Sequence, residues 1–184
     1  MAAGVALLRG INVGGRNPVP MPDLAACFRS AGYDGVRTHL QSGNVLFAAA
    51  SGAPGAAGPG LEAALDRLLV ERFGFEVPTV VRSWDQLVAT VRQAPADHGS
   101  GDRRSDVFFL KAPLTVDEAM AQMPELRAGV DAVAPGPGAI YFSRDAVRAR
   151  TTRITRFMAL PVFQHVTVRT WRTTTRLLEL LDDD

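Results

Sequence analysis

The chain is poor in the residues that announce most chemistries. Cys27 is its only cysteine. That excludes an intramolecular disulfide and a thiolate metal cluster. His39, His98 and His165 are its only histidines. They lie far apart and lack the i, i+4 spacing of helix-borne metal ligands, so no metal is expected. No cofactor motif is present either. No apolar run approaches the roughly 20 residues that span a bilayer, so no membrane partner is expected. No charged start precedes a long apolar segment, so a secretory leader is not expected and the cytoplasm is the expected compartment. Lysine is almost missing: Lys111 stands alone among 20 basic residues. The net charge of +1 argues nothing about partners by itself.

What is present is enough apolar material for a real core. A chain of 184 residues with 47% hydrophobic content suits one ordinary domain or two small ones. Val5-Ala6-Leu7-Leu8 reads as a strand buried on both faces. Leu24, Cys27, Phe28 and Ala31 fall at helical spacing, with Pro22 in the first turn and Gly32 as the stop. Val36, Thr38 and Leu40 alternate with polar residues, and Ser42-Gly43 turns the chain into Asn44 to Ala48 as a hairpin. Residues 49–60 are Ala, Gly, Pro and Ser only, a flexible connector. Leu61, Leu65, Leu68, Leu69 and Phe73 mark a second helix, and Val77 to Val81 a fourth strand. Strand, helix, strand, strand, helix, strand is the order of a ferredoxin-like unit. The first and third strands are the most apolar and should be central. Pro78 belongs in an edge strand.

The second half admits the same order. Ser83-Trp84-Asp85-Gln86 is a capping box opening a helix. A polar loop runs from Pro95 to Ser105, and Asp106 to Leu110 reads as a strand. Thr115 to Glu118 caps a short helix. Val130 to Val133 and Ala139 to Phe142 flank Ala134 and a Pro-Gly-Pro-Gly run as a strand pair. Arg144 to Leu160 reads as mainly helical, His165 to Arg169 as a strand and Trp171 to Leu181 as the last helix. The expected fold is α+β, with two ferredoxin-like subdomains, 1–82 and 83–184, packed as one compact unit and ending in a C-terminal helix. The duplication is read from pattern alone.

The chemically distinctive stretch is Leu7-Leu8-Arg9-Gly10-Ile11-Asn12-Val13-Gly14-Gly15-Arg16-Asn17. Glycines free the backbone to turn its N–H groups inward. Arginines supply planar forks that suit carboxylate or phosphate. The spacing is neither a P-loop nor a dinucleotide fingerprint. In a ferredoxin-like unit the first two strands end on one rim. That would gather Arg9, Asn12, Gly14, Gly15, Arg16, Asn17, Gln41, Ser42 and Asn44 beside the start of the first helix, whose dipole favours anions. The plainer alternative is that these glycines and asparagines only build turns.

This opening, with Met21 and Leu24, Val36-Arg37-Thr38, and Gln41-Ser42-Gly43-Asn44-Val45-Leu46-Phe47, resembles a bacterial family, the domain of unknown function family numbered 1697. Thr167-Val168-Arg169-Thr170-Trp171-Arg172-Thr173 with Leu177-Leu178 resembles that family's closing motif. Thr170 stands where the family usually has Asn before the Trp. The resemblance implies a cytosolic α+β protein with no established activity. Three functions follow as alternatives. The first is binding of a small anion, phosphate or nucleotide-like, at the rim, with Arg169 completing the site. The second is a nucleic-acid module using the arginines between Arg144 and Arg176, opposed there only by Asp145. Against it, the third strand has one aromatic and no RNA-binding signature. The third is an enzyme on an anionic metabolite, with Arg9 and Arg16 as electrostatic stabilisers and no identifiable acid or base.

Overall fold

In the computed structural model, which describes residues 3–48 and 59–182, the first four strands are β1 (Ala3–Leu8), β2 (Asp34–His39), β3 (Asn44–Ala48) and β4 (Thr79–Ser83). They form an antiparallel sheet in the order β2-β3-β1-β4. The two most apolar strands are therefore central, as their composition predicts. Pro78 stands just before the edge strand β4, where its missing N–H costs no ladder bond. Helices α1 (Met21–Ser30) and α2 (Pro59–Phe73) cover one face. Leu24, Cys27 and Phe28 of α1 and Leu61, Leu65 and Leu69 of α2 pack with Ala6, Leu8, Val45, Phe47 and Val81. Gly32 stops α1 in the left-handed region at φ 88°, and the Tyr33 N–H closes the end on Phe28 O at 3.2 Å. Of the connector expected over 49–60, residues 49–58 lie outside the described residues, and Pro59 and Gly60 already open α2.

The second sheet repeats this plan. Strands β5 (Arg103–Leu110), β6 (Asp131–Gly136), β7 (Ala139–Asp145) and β8 (Val166–Thr170) lie in the antiparallel order β6-β7-β5-β8. Helix α3 (Trp84–Arg92) precedes it, α4 (Val116–Ala121) follows β5, α5 (Thr155–Met158) precedes β8, and α6 (Trp171–Asp182) ends the chain. The fold is two ferredoxin-like subdomains with a C-terminal helix. By contacts, the chain divides into one unit of Met1–Leu87 with Leu177–Asp184 and another of Val88–Arg176.

The helix expected over Arg144 to Leu160 is a correction. Strand β7 runs on to Asp145, a 3₁₀ turn covers Ala149–Thr151, and only Thr155–Met158 is α-helical. The cause is local. Asp145 Oδ1 accepts the Arg148 N–H at 2.7 Å, the Thr151 hydroxyl donates to Arg148 O at 2.8 Å, and Thr152 Oγ1 accepts the Ile154 N–H at 3.2 Å. Side chains of this kind compete with the helical ladder. The connection still buries Ile154, Phe157, Val162 and Phe163 against Phe108 and Phe142.

A residue-level echo accompanies the repeated topology. Val81-Arg82-Ser83-Trp84 and Val168-Arg169-Thr170-Trp171 each leave the fourth strand of a sheet and enter a helix. Arg82 sits opposite Val5, and Arg169 opposite Val107. Each guanidinium is buried and donates to the carbonyl before it, at 2.7 and 2.8 Å. Ser83 Oγ accepts the Gln86 N–H at 3.2 Å, and Thr170 Oγ1 accepts the Thr173 N–H at 3.1 Å. Thr170 thus caps α6, a position that threonine fills well.

Candidate functional site

The two polar turns at the end of β1 and β2 are fastened together. Val13-Gly14-Gly15-Arg16 is a tight hairpin, closed by Arg16 N–H donating to Val13 O at 3.0 Å and Asn12 N–H to Asn17 O at 3.0 Å. Gly14 and Gly15 have φ 58° and 76°, the two successive left-handed residues that such a turn requires. The Asn12 side chain does most of the fastening. Its Nδ2 donates to Val19 O and to Gln41 O, both at 2.9 Å, and its Oδ1 accepts the Val19 N–H at 2.8 Å. One amide therefore joins the hairpin, the entrance of α1 and the turn after β2. The expected turn at Ser42-Gly43 extends over Leu40 to Gly43, because Leu40 itself is left-handed at φ 61°. Leu8 N–H donates to Gly43 O at 2.8 Å, which makes Arg9 and Ser42 next neighbours of a shared bond.

The amides of this rim hold backbone. Asn17 donates to Gly10 O at 3.0 Å, and Asn44, fully buried, donates to His39 O at 2.7 Å and reaches Ser42 Oγ at 3.3 Å. Pro20 and Pro22 lack N–H groups at the start of α1, and Asp23 already places a carboxylate in its first turn, so that helix end adds little to anion binding. The charge resides in Arg9 and Arg16. Arg16, Gln41 and Ser42 are exposed, Arg9 is half-buried, and burial lowers the Arg9 pKa from its ordinary value. Arg169 lies in the other unit. The residue is 7% exposed, and burial draws its pKa down to about 10.

Sequence reasoning missed a second concavity, on the helix-facing side of the second sheet. A cleft of about 360 Å³ is lined by Arg104, Asp106, Phe108, Arg144, Arg150 and Ile154, with Met158 and Val168 among the rest. Arg104 and Arg144 are directly opposed across β5 and β7. Arg144 Nη1 lies 3.4 Å from Asp106 Oδ2, and its guanidinium stands over the Phe142 ring at 5.6 Å. Burial raises the Asp106 pKa, and Arg144 opposes that rise. The signal available in sequence was the alternation Arg104, Asp106, Phe108, which puts all three on one face of a strand.

Elsewhere the basic third of the chain is partly neutralised. Arg148 pairs with Asp145 at 3.3 Å, and Arg153 with Glu125 at 3.7 Å. His98 is buried in T-shaped contact with Tyr141 and Trp171, with ring centroids 5.4 and 4.9 Å away. Burial lowers its pKa to about 4. The unfolded chain therefore takes up this proton first. His98 should favour folding above about pH 6.5, and that contribution should fade as pH drops toward 4. Urea midpoints measured across this window should fall with acidity, less steeply in His98→Phe. Equal slopes would show that His98 is not the group responsible.

Among the described residues no three His, Cys, Asp or Glu side chains gather as a metal site, and no helix is long and apolar enough to cross a membrane. With this geometry in view, the family model described as a protein of unknown function, DUF1697, matches residues 1–141. The chain belongs to that family. Its fold is similar to that of the conserved bacterial protein SP0830 from Streptococcus pneumoniae, with a TM-score of 0.85, 23% identity, and 98% of each chain covered. No curated protein sequence matches it. The DUF1697 match takes in both polar turns, whereas the closing motif with Arg169 lies beyond residue 141.

Proposed function

We propose that this DUF1697 protein binds a small anion, phosphate or nucleotide-like, at the rim carrying Arg9, Asn12, Gly14, Gly15, Arg16, Gln41, Ser42 and Asn44. The supporting observation is the Asn12 amide, which bonds Val19 and Gln41 together and so fixes two arginine- and hydroxyl-bearing turns at one end of a rigid sheet. Asn12, Asn17 and Asn44 are the frame. Arg9 and Arg16 supply the charge, with the Ser42 hydroxyl and the Gln41 amide beside them. A partly desolvated guanidinium such as Arg9 gains from an anion that replaces lost water.

Inorganic phosphate and ADP should each raise the melting midpoint of the wild type by mass action. Arg9→Ala with Arg16→Ala should weaken that response about tenfold or more, since one charge-assisted hydrogen bond contributes on the order of 1.5–3 kcal/mol. An unchanged midpoint in the wild type at millimolar ligand would remove the proposal. So would an undiminished response in the double variant.

A further inference from the structure

We propose that the cleft on the second sheet is a separate binding site for a small amphiphilic anion, a single phosphate or carboxylate head carried on a compact apolar body. It is independent of the rim and shares no residue with it.

The cleft exists because the two subdomains differ at one connection. Between β3 and β4 the chain supplies the fifteen-residue α2, whose leucines cover the sheet. Between β7 and β8 it supplies only the four-residue α5 with 3₁₀ turns on either side. One end of the second sheet is left bare, and there the residues are charged. Arg104 and Arg144 face each other in register. Like charges directly opposite on one face of a sheet repel. Asp106 offsets one of them, at 3.4 Å from Arg144. Asp131, which is opposite Arg144 on its other side, has its Oδ2 held by the Arg127 and Arg153 N–H groups at 3.1 and 2.9 Å. Arg104 and Arg150 are exposed residues that line the cleft, and among the described residues neither side chain forms an ion pair or hydrogen bond. Three cations against one lining carboxylate leave the cleft positive, and a monoanionic or dianionic head restores balance.

The remaining lining determines what the head is attached to. Phe108 and Ile154, each 2% exposed, give an apolar floor, and Val168 and the exposed Met158 add apolar lining. About 360 Å³ is at the lower end of the range of small-molecule sites. It admits an aromatic ring or short hydrocarbon together with its head. Free inorganic phosphate would leave the floor wet, and a neutral apolar molecule would leave the arginines opposed.

Phenyl phosphate, inorganic phosphate and phenol, titrated calorimetrically into the full chain, test this. Phenyl phosphate should bind one per chain and at least about tenfold tighter than either fragment, because both halves of the cleft contribute. Arg104→Ser with Arg150→Ser should weaken it about tenfold or more. Both side chains are exposed, so the melting midpoint should hold and confirm folding. Asp106→Asn should tighten binding about threefold by removing the repelling carboxylate and releasing Arg144. Arg9→Ala should leave it unchanged, whatever happens at the rim. Binding no tighter than inorganic phosphate overturns the proposal. So does binding indifferent to the Arg104 and Arg150 changes, or none at about 10 mM, where even weak contacts register.

Discussion

Replacing Glu62 by alanine is expected to destabilise the protein by about 3–5 kcal/mol, the cost of leaving one member of a buried ion pair behind. Glu62 projects from the first turn of α2 onto the outer edge of β4. Its Oε1 accepts the Val81 N–H at 2.9 Å and stands 3.6 Å from Arg82 Nη1. The two side chains are 6% and 9% exposed. An edge strand presents N–H groups with no neighbouring strand to receive them, and a covering carboxylate is one remedy. The same carboxylate supports a guanidinium whose pKa burial lowers and Glu62 raises. Loss of Glu62 removes a charged acceptor from both. For a chain of this length the melting midpoint should drop by roughly 10 °C. Glu62→Gln should fall in between, because its amide oxygen still accepts from Val81. Glu62→Leu with Arg82→Met should be milder than either single change, since no buried charge is then stranded. A loss under about 1 kcal/mol in Glu62→Ala would mean that other contacts carry Arg82.

Arg82 also shows where sequence reading reached its limit. The first sheet was legible because its strands differ sharply in apolar content and its helices end at Gly32 and Gly74. Those are short-range signals. The echo between Val81-Arg82-Ser83-Trp84 and Val168-Arg169-Thr170-Trp171 was equally visible as text. Four residues carry little weight until the register opposite Val5 and Val107 gives them equal places. The helix expected over Arg144 to Leu160 fails because the side chains of Asp145, Thr151 and Thr152 bond the nearby backbone of Arg148 and Ile154. At the rim the residue types suit an anion, yet the amides of Asn12 and Asn44 bond backbone. An amide that holds a turn and one that holds a ligand look the same in a sequence. The cleft was hidden for the opposite reason. Its residues come from β5, β7, β8 and the short connection, and nothing local marks the missing helix that exposes them.

Gly43→Ala is expected to cost about 2–5 kcal/mol, from two additive causes. The residue has φ 77°, where a Cβ costs roughly 1–2 kcal/mol. A Cβ there would also lie 2.6 Å from Ile11 Cδ1 and 2.9 Å from Leu8 Cβ. The isoleucine tip can rotate away. Leu8 Cβ is fixed to the central strand, and forcing such an overlap costs about 1–3 kcal/mol. The turn must therefore lift off β1, although Gly43 O accepts the Leu8 N–H at 2.8 Å. Lifting it draws Gln41 away from Asn12 and opens the rim. Gly15→Ala is the matched control: its φ is 76°, and nothing lies within 4 Å of an added Cβ. It carries the conformational cost alone. Chemical denaturation should rank Gly43→Ala below Gly15→Ala by at least about 1 kcal/mol, the lower bound of the overlap cost. Any phosphate response at the rim should weaken in Gly43→Ala, while phenyl phosphate binding at the cleft persists. Equal stabilities for the two variants would mean that Leu8 and Ile11 yield without cost, and that the close seating of this turn on β1 does not hold the rim in place.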